Sequence, residues 1–227
     1  MKLLVYIVTL LLLVTTFSCG GGTSSSPASA DPELKNLGVT FDNYDAGTGK
    51  AGDFNFPVLS AADSKPFYVF GSPLPGGALN PTFEYLTDPD AVISSPVDGT
   101  ISEINHRVTQ DDYSVVITPI NAVDLRVVLD HVLNVAVSVG DLVIAGEQLG
   151  TAGFWTSDMG RTELQIYNET DGLSYCPFAV FDADLTATFQ DKVTNLMDQW
   201  EVYVDDPDVY DQDAMVYPGC LIESTPG

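Results

Sequence analysis

Polar and apolar residues alternate along 160–168, GRTELQIYN. Thr162, Leu164 and Ile166 fall on one side of an extended chain, and Glu163, Gln165 and Tyr167 on the other. The same texture runs through 91–179. Short segments rich in Val, Ile and Leu (AVISS, TISEI, YSVVITPI, LRVVLDHVLNV, DLVIAG) are separated by Gly, Asp or Pro at intervals of 8–12 residues. No helical period crosses them, so this stretch predicts many short strands in a compact all-β domain. The period changes at 182–204. Leu185, Phe189, Val193, Leu196, Met197 and Trp200 recur three and four residues apart, which predicts one amphipathic helix packed against the sheet, with Asp182 or Asp184 as its cap. Upstream, 35–90 holds scattered aromatics (FNFPV, PFYVF) among Gly and Asp. It reads as an irregular extension of strands or loops wrapping a core, with turn-rich SPLPGGALNP at 72–81.

The first eighteen residues belong to a different kind of segment. Lys2 precedes an apolar run at 3–14, of signal-peptide length and short for a membrane span. TTFSC then leads into Cys19 and a Gly/Ser/Pro stretch. Basic start, apolar run, Cys and tether together resemble a bacterial lipoprotein signal, with cleavage before Cys19 and lipid on its thiol. The expected organisation is signal 1–18, tether 19–34, extension 35–90, β domain 91–179, and helix with acidic tail 180–227. With Cys19 set apart, Cys176 and Cys220 are an even pair. In an oxidising compartment such a pair reads as a disulfide tying the tail back, and two separate buried thiols are the alternative.

Charge narrows the partners. With 32 acids against 8 Lys and Arg, the net charge is −24. So acidic a surface excludes nucleic acid and opposes anionic lipid headgroups, leaving the anchor as the route to a membrane. The densest acidic run, 205–213, lacks the Gly and terminal Glu of a calcium loop and reads as solvated. GTGKAG, 47–52, lacks the preceding strand of a phosphate loop. His106 has no ligand-spaced neighbour and reads as an exposed or satisfied histidine.

Three segments in order carry a resemblance: VISSPVDGTI at 92–101, VVLDHVLNVAVSVGDLVIAGEQLGTAG at 127–153, and GRTELQIY at 160–167. Together they resemble the β core of the lysostaphin/LytM-type zinc endopeptidases, which cut peptidoglycan cross-links. VGDLVIAGEQLG also suits lipoyl and biotinyl carrier domains, but no Lys stands at a tight hairpin, and Lys192 falls in the predicted helix. The resemblance implies a mainly β, sandwich-like LytM fold (the duplicated hybrid motif) with one C-terminal helix. It implies that His131 matches an assisting histidine. In the closing motif Glu163 stands for an assisting histidine and Gln165 for a zinc-ligating one. In NPTFE, Asn80 takes the place of a ligating histidine and Glu84 that of a ligating aspartate.

Amide oxygens are poor zinc donors beside water. The expectation is therefore a pseudoenzyme with no metal or other cofactor, whose groove of Asn80, Glu84, His131, Glu163 and Gln165 binds peptidoglycan or an envelope protein from an extracytoplasmic, lipid-anchored position. The alternatives are an active zinc metalloendopeptidase with unusual ligands, and a structural surface lipoprotein without a ligand.

Overall fold

The computed structural model describes residues 33–227; the expected signal 1–18, Cys19 and nearly all of the tether lie outside the described residues. The chain is mainly β, with a large antiparallel sheet and one long helix, as the periodicities predict. The strands are β1 (Lys50–Ala51), β2 (Phe54–Asn55), β3 (Phe67–Tyr68), β4 (Phe83–Thr87), β5 (Val92–Ser94), β6 (Gly99–Arg107), β7 (Asp112–Pro119), β8 (Leu125–Leu133), β9 (Leu142–Val143), β10 (Gln148–Phe154), β11 (Gly160–Asn168), β12 (Leu173–Tyr175) and β13 (Ser224–Pro226). The helices are α1 (Phe56–Ala61) and α2 (Ala183–Val204).

The spine of the sheet is a run of antiparallel neighbours. β9 pairs with β6, β6 with β7, β7 with β8, β8 with β11, β11 with β12, and β12 with β13. β10 bridges β8, β11 and β5. Along β11 the alternation behaves as its sequence requires: Thr162, Leu164 and Ile166 are fully buried, while Arg161, Glu163 and Gln165 face the half-exposed side.

The stretch 35–90 is built of short strands and loops that wrap the core. It supplies β1 to β4 and α1, and β4 is paired with β11 from Thr87 opposite Gly160 to Phe83 opposite Leu164. The apolar runs here are too short to show a period. Their order comes from partners about 80 residues further along the chain, which no local pattern reports. Phe41, Phe54, Phe56, Phe67, Phe70 and Phe83 from this stretch are buried in the main core.

α2 starts where the sequence predicts. The Asp182 carboxylate accepts from the amides of Asp184 and Leu185, satisfying two of the donors that a helix start leaves open. It ends at Asp205, in a left-handed conformation. Val193, Leu196, Met197 and Trp200 are buried, each contributing about 1.5–3 kcal/mol against exposure. The aromatic contacts of this face run to the N-terminal segment: Trp200 lies edge-on to Phe56 at 5.1 Å, and Tyr203 edge-on to Tyr44 at 5.5 Å. Lys192 Nζ donates to the Phe41 carbonyl at 2.9 Å.

Cys176 and Cys220 form a disulfide, with Cα atoms 6.1 Å apart. It joins the segment after β12 to the chain entering β13. Among the described residues no helix is long and apolar enough to cross a membrane.

Candidate functional site

Four residues stand in a row across adjacent strands: Tyr68 on β3 opposite Glu84 on β4, Glu84 opposite Glu163 on β11, and Glu163 opposite Asp130 on β8. Residues paired across antiparallel strands share a face. The row is therefore a polar stripe on the side of the sheet away from Thr162 and Leu164. Arg161, two residues before Glu163, joins the same face.

Arg161 organises the stripe. Its Nε lies 2.8 Å from Glu84 Oε1, and its Nη2 donates to Glu163 Oε1. Its guanidinium carbon lies 5.1 Å from the centre of the Trp155 ring. One cation thus contacts two carboxylates on neighbouring strands, through a hydrogen bond to Glu163 and an ion pair with Glu84 that lacks hydrogen-bond alignment. The carboxylates respond in opposite directions. Burial pushes the Glu84 carboxyl above its usual range, and repulsion from Glu163 adds to this against the pull of Arg161. At Glu163 burial also pushes upward, but the nearby His131 ring and the Arg161 charge outweigh it and hold the carboxyl below its usual range. Burial likewise raises the Tyr68 hydroxyl, with Glu84 adding to the effect and Arg161 opposing it.

His131 is buried, and its Nδ1 lies 2.6 Å from Asp112 Oδ2 at the start of β7. Its Nε2 lies 3.4 Å from Glu163 Oε1 without the alignment of a hydrogen bond. The backbone at His131 has φ +57°, a left-handed conformation that L side chains rarely adopt and that costs about 1–3 kcal/mol. Two features of the surroundings accommodate it. The Asp130 carboxylate accepts from the His131 amide at 3.0 Å, and Arg107 pairs with Asp130. Gly153 on β10 leaves the necessary space. A Cβ there would come within 2.9 Å of the His131 carbonyl and 3.2 Å of Asp112 Oδ2.

Of the five groove residues expected from the sequence, Glu84, Glu163 and His131 are brought together, linked through Arg161 and Glu163. Asn80 and Gln165 are committed to the scaffold. The Asn80 amide donates to the Val69 carbonyl at 3.2 Å, and its oxygen accepts from the Thr82 amide at 3.2 Å and the Thr82 hydroxyl at 2.9 Å. Gln165 donates to the Ser174 hydroxyl at 2.8 Å. His106 sits apart, paired with Asp111 at 2.9 Å and tilted against Tyr113.

Arg161, Asp112, Tyr68 and Trp155 escaped the sequence reading. Arg161 alone had a local signal, since the alternation that singled out Glu163 and Gln165 also places Arg161 on their face. Asp112 joins His131 through the β7–β8 pairing, which the sequence does not announce.

This donor set does not fit zinc. A structural or catalytic zinc takes deprotonated or imidazole donors in a tetrahedral shell. Here the Asn80 amide is spent on internal hydrogen bonds, the Gln165 amide is tied to Ser174, and a fixed positive charge contacts both carboxylates. Among the described residues no group of three or more His, Cys, Asp or Glu side chains is placed to hold a metal ion. What the arrangement offers is a polar floor of carboxylate, guanidinium and imidazole beside the half-exposed Trp155 ring.

No protein-family model matches the sequence, and no curated protein matches it. Solved structures similar to the chain are peptidase domains at low identity and over part of its length. The catalytic domain of the antimicrobial peptidase lysostaphin from Staphylococcus simulans is 19% identical over 45% of this chain and 78% of that one, with a TM-score of 0.39. A catalytic domain of the prophage-encoded M23 protein EnpA from Enterococcus faecalis is 20% identical over 45% of this chain and 82% of that one, with a TM-score of 0.38. In a solution structure of lysostaphin, 20% identical with a TM-score of 0.39, the likeness spans 44% of this chain and 42% of that one.

Proposed function

We propose that the protein is an extracytoplasmic lipoprotein, anchored through Cys19, whose LytM-like β domain does not hydrolyse peptidoglycan but binds its peptide. The observation that carries this reading is the Arg161 guanidinium lying between Glu84 and Glu163. By the motif resemblance these are the positions of a metal ligand and of a histidine that assists the metal-bound water. A cation built into the chain neutralises the carboxylates there, but it cannot act as a Lewis acid or lower the pKa of a water. His131, fixed by Asp112, remains a donor or acceptor for a bound peptide. Trp155 adds exposed apolar area beside the floor.

The test uses purified sacculi with and without added zinc. The expected outcome is saturable binding with muropeptide release at background, and weaker binding in Glu163→Gln. Release above background, lost in Glu84→Ala and His131→Ala, would restore the metalloendopeptidase reading. Absence of sacculus binding would refute the peptide-binding role, and cross-linking to another envelope protein would then name that protein as partner.

A further inference from the structure

Seven Lys and Arg residues lie among the described residues, and in a chain with 32 acids most are paired with one. Lys35 meets Asp98, Lys50 meets Asp88, Arg107 meets Asp130, Arg126 meets Glu169, and Arg161 meets Glu84 and Glu163. Lys192 donates to a backbone carbonyl. Lys65 differs. Its ammonium lies 5.3 Å from the centre of the Tyr68 ring and 5.0 Å from that of Tyr210, with no carboxylate within ion-pair distance among the described residues. It is half-buried in the lining of a cavity of about 550 Å³, between the end of α1, β3 and the C-terminal part of α2.

Trp200, Val204 and Val209 supply apolar wall, and the Ser60 and Ser64 side chains add small polar groups. Asp63 and Asp206 also line the cavity, but neither carboxylate lies within ion-pair distance of the ammonium, and burial pushes the lysine's pKa below its usual range. A half-desolvated ammonium facing two tyrosine rings is attracted to them but has three N–H donors, and ring faces do not satisfy these as an oxygen acceptor does. The net charge of −24 repels anions at long range. A ligand for this cavity must therefore combine one negative charge for Lys65 with apolar surface for the walls.

We propose that this cavity binds a carboxylate carried on an apolar or aromatic body, with the carboxylate paired to Lys65 and the body against Tyr68 and Trp200. The pocket shares Tyr68 with the Arg161 stripe but none of its charged groups, and it does not depend on peptidoglycan recognition. Tyr68 stands between the two, so an occupant on one side of its ring touches a residue of the other site.

The probe is N-acetylphenylalanine, with its primary amide as the uncharged match, titrated into the full chain and followed by NMR. The expected outcome is saturable shifts at Lys65, Tyr68 and Trp200 with the acid, at least about tenfold weaker with the amide. The Lys65 ammonium should also titrate at higher pH when the acid is bound, a change that a purely packing role for the side chain would not produce. Lys65→Gln should lose the binding, Lys65→Arg should keep it, and Lys35→Gln, at a surface pair, should leave it unchanged. Equal binding of acid and amide, no saturation with the acid, or full binding in a folded Lys65→Gln would each overturn the proposal. Should Lys65→Gln fail to fold, the acid–amide comparison and Lys65→Arg decide it.

Discussion

Replacing Arg161 by Met keeps most of the side chain's length and removes its charge. Two carboxylates then face each other across β4 and β11 with nothing between them. The Glu84 and Glu163 side chains are each 16% exposed and Arg161 is 22% exposed, which places the network between two regimes. Breaking a fully buried pair by removing one partner costs about 3–5 kcal/mol, whereas an exposed pair is worth at most about 1. Partial solvent access brings the expectation to about 3 kcal/mol at pH 7, including the lost contact with Trp155.

The cost depends on pH with a definite sign. In the native protein Glu163 is held below its ordinary value of 4.5, so its stabilisation is complete above that value and is lost as pH falls through the folded-state pKa. Without Arg161 the carboxyl rises, both acids take up protons more readily, and the penalty should shrink to about 1 kcal/mol near pH 4. Urea denaturation of the native protein, Arg161→Met, Glu84→Gln and the double variant at pH 7 and pH 4 reads all of this. In the Arg161→Met background, Glu84→Gln should restore stability at pH 7, because one negative charge is gone. A cost below about 1 kcal/mol at pH 7, or no recovery in the double variant, would refute the view of Arg161 as the cation that holds the stripe together.

Two further outcomes test the scaffold. Replacing Cys176 and Cys220 by Ala opens a link spanning 44 residues and should lower unfolding stability by about 4 kcal/mol; an unchanged urea midpoint would remove the bridge from the account of how the tail is held. The fully buried Tyr85 hydroxyl has no hydrogen-bond partner among the described residues, so Tyr85→Phe should raise stability by about 1 kcal/mol, and a loss of that size in calorimetry would show that the hydroxyl is satisfied.

What could be read from the sequence follows the range of the forces involved. α2 was legible to within a residue, because its period and its Asp182 cap are local. β11 was legible because one of its faces is fully buried and the other is not, which imprints a period of two. The Cys pair followed from parity and compartment. The stretch 35–90 was legible only as strands or loops around a core, without their pairing, since Phe83 and Tyr85 acquire their strand from β11, far along the chain.

At the candidate site, the motif positions of Glu84, His131 and Glu163 converge, but the same motif reading passed over Arg161. It asked which residues stand where ligands would stand, and not which charge now compensates them. Asn80 and Gln165 illustrate the converse. Each occupies an expected groove position, yet a neutral amide is readily drawn into hydrogen bonds with nearby scaffold groups, here Val69, Thr82 and Ser174.

The joining of early and late segments bears on how the chain reaches this state. β6, β7 and β8 are consecutive hairpin neighbours and can pair as soon as they exist. β4 cannot, because its partner β11 comes some 75 residues later. Leu34 is bonded on both sides of its peptide to the chain at Val180 and Asp182, and Phe56 waits for Trp200. A chain that emerges N-terminus first therefore carries β4, Leu34 and Phe56 without these partners until most of its length is made. The core cannot close before the C-terminal helix has met the N-terminal segment.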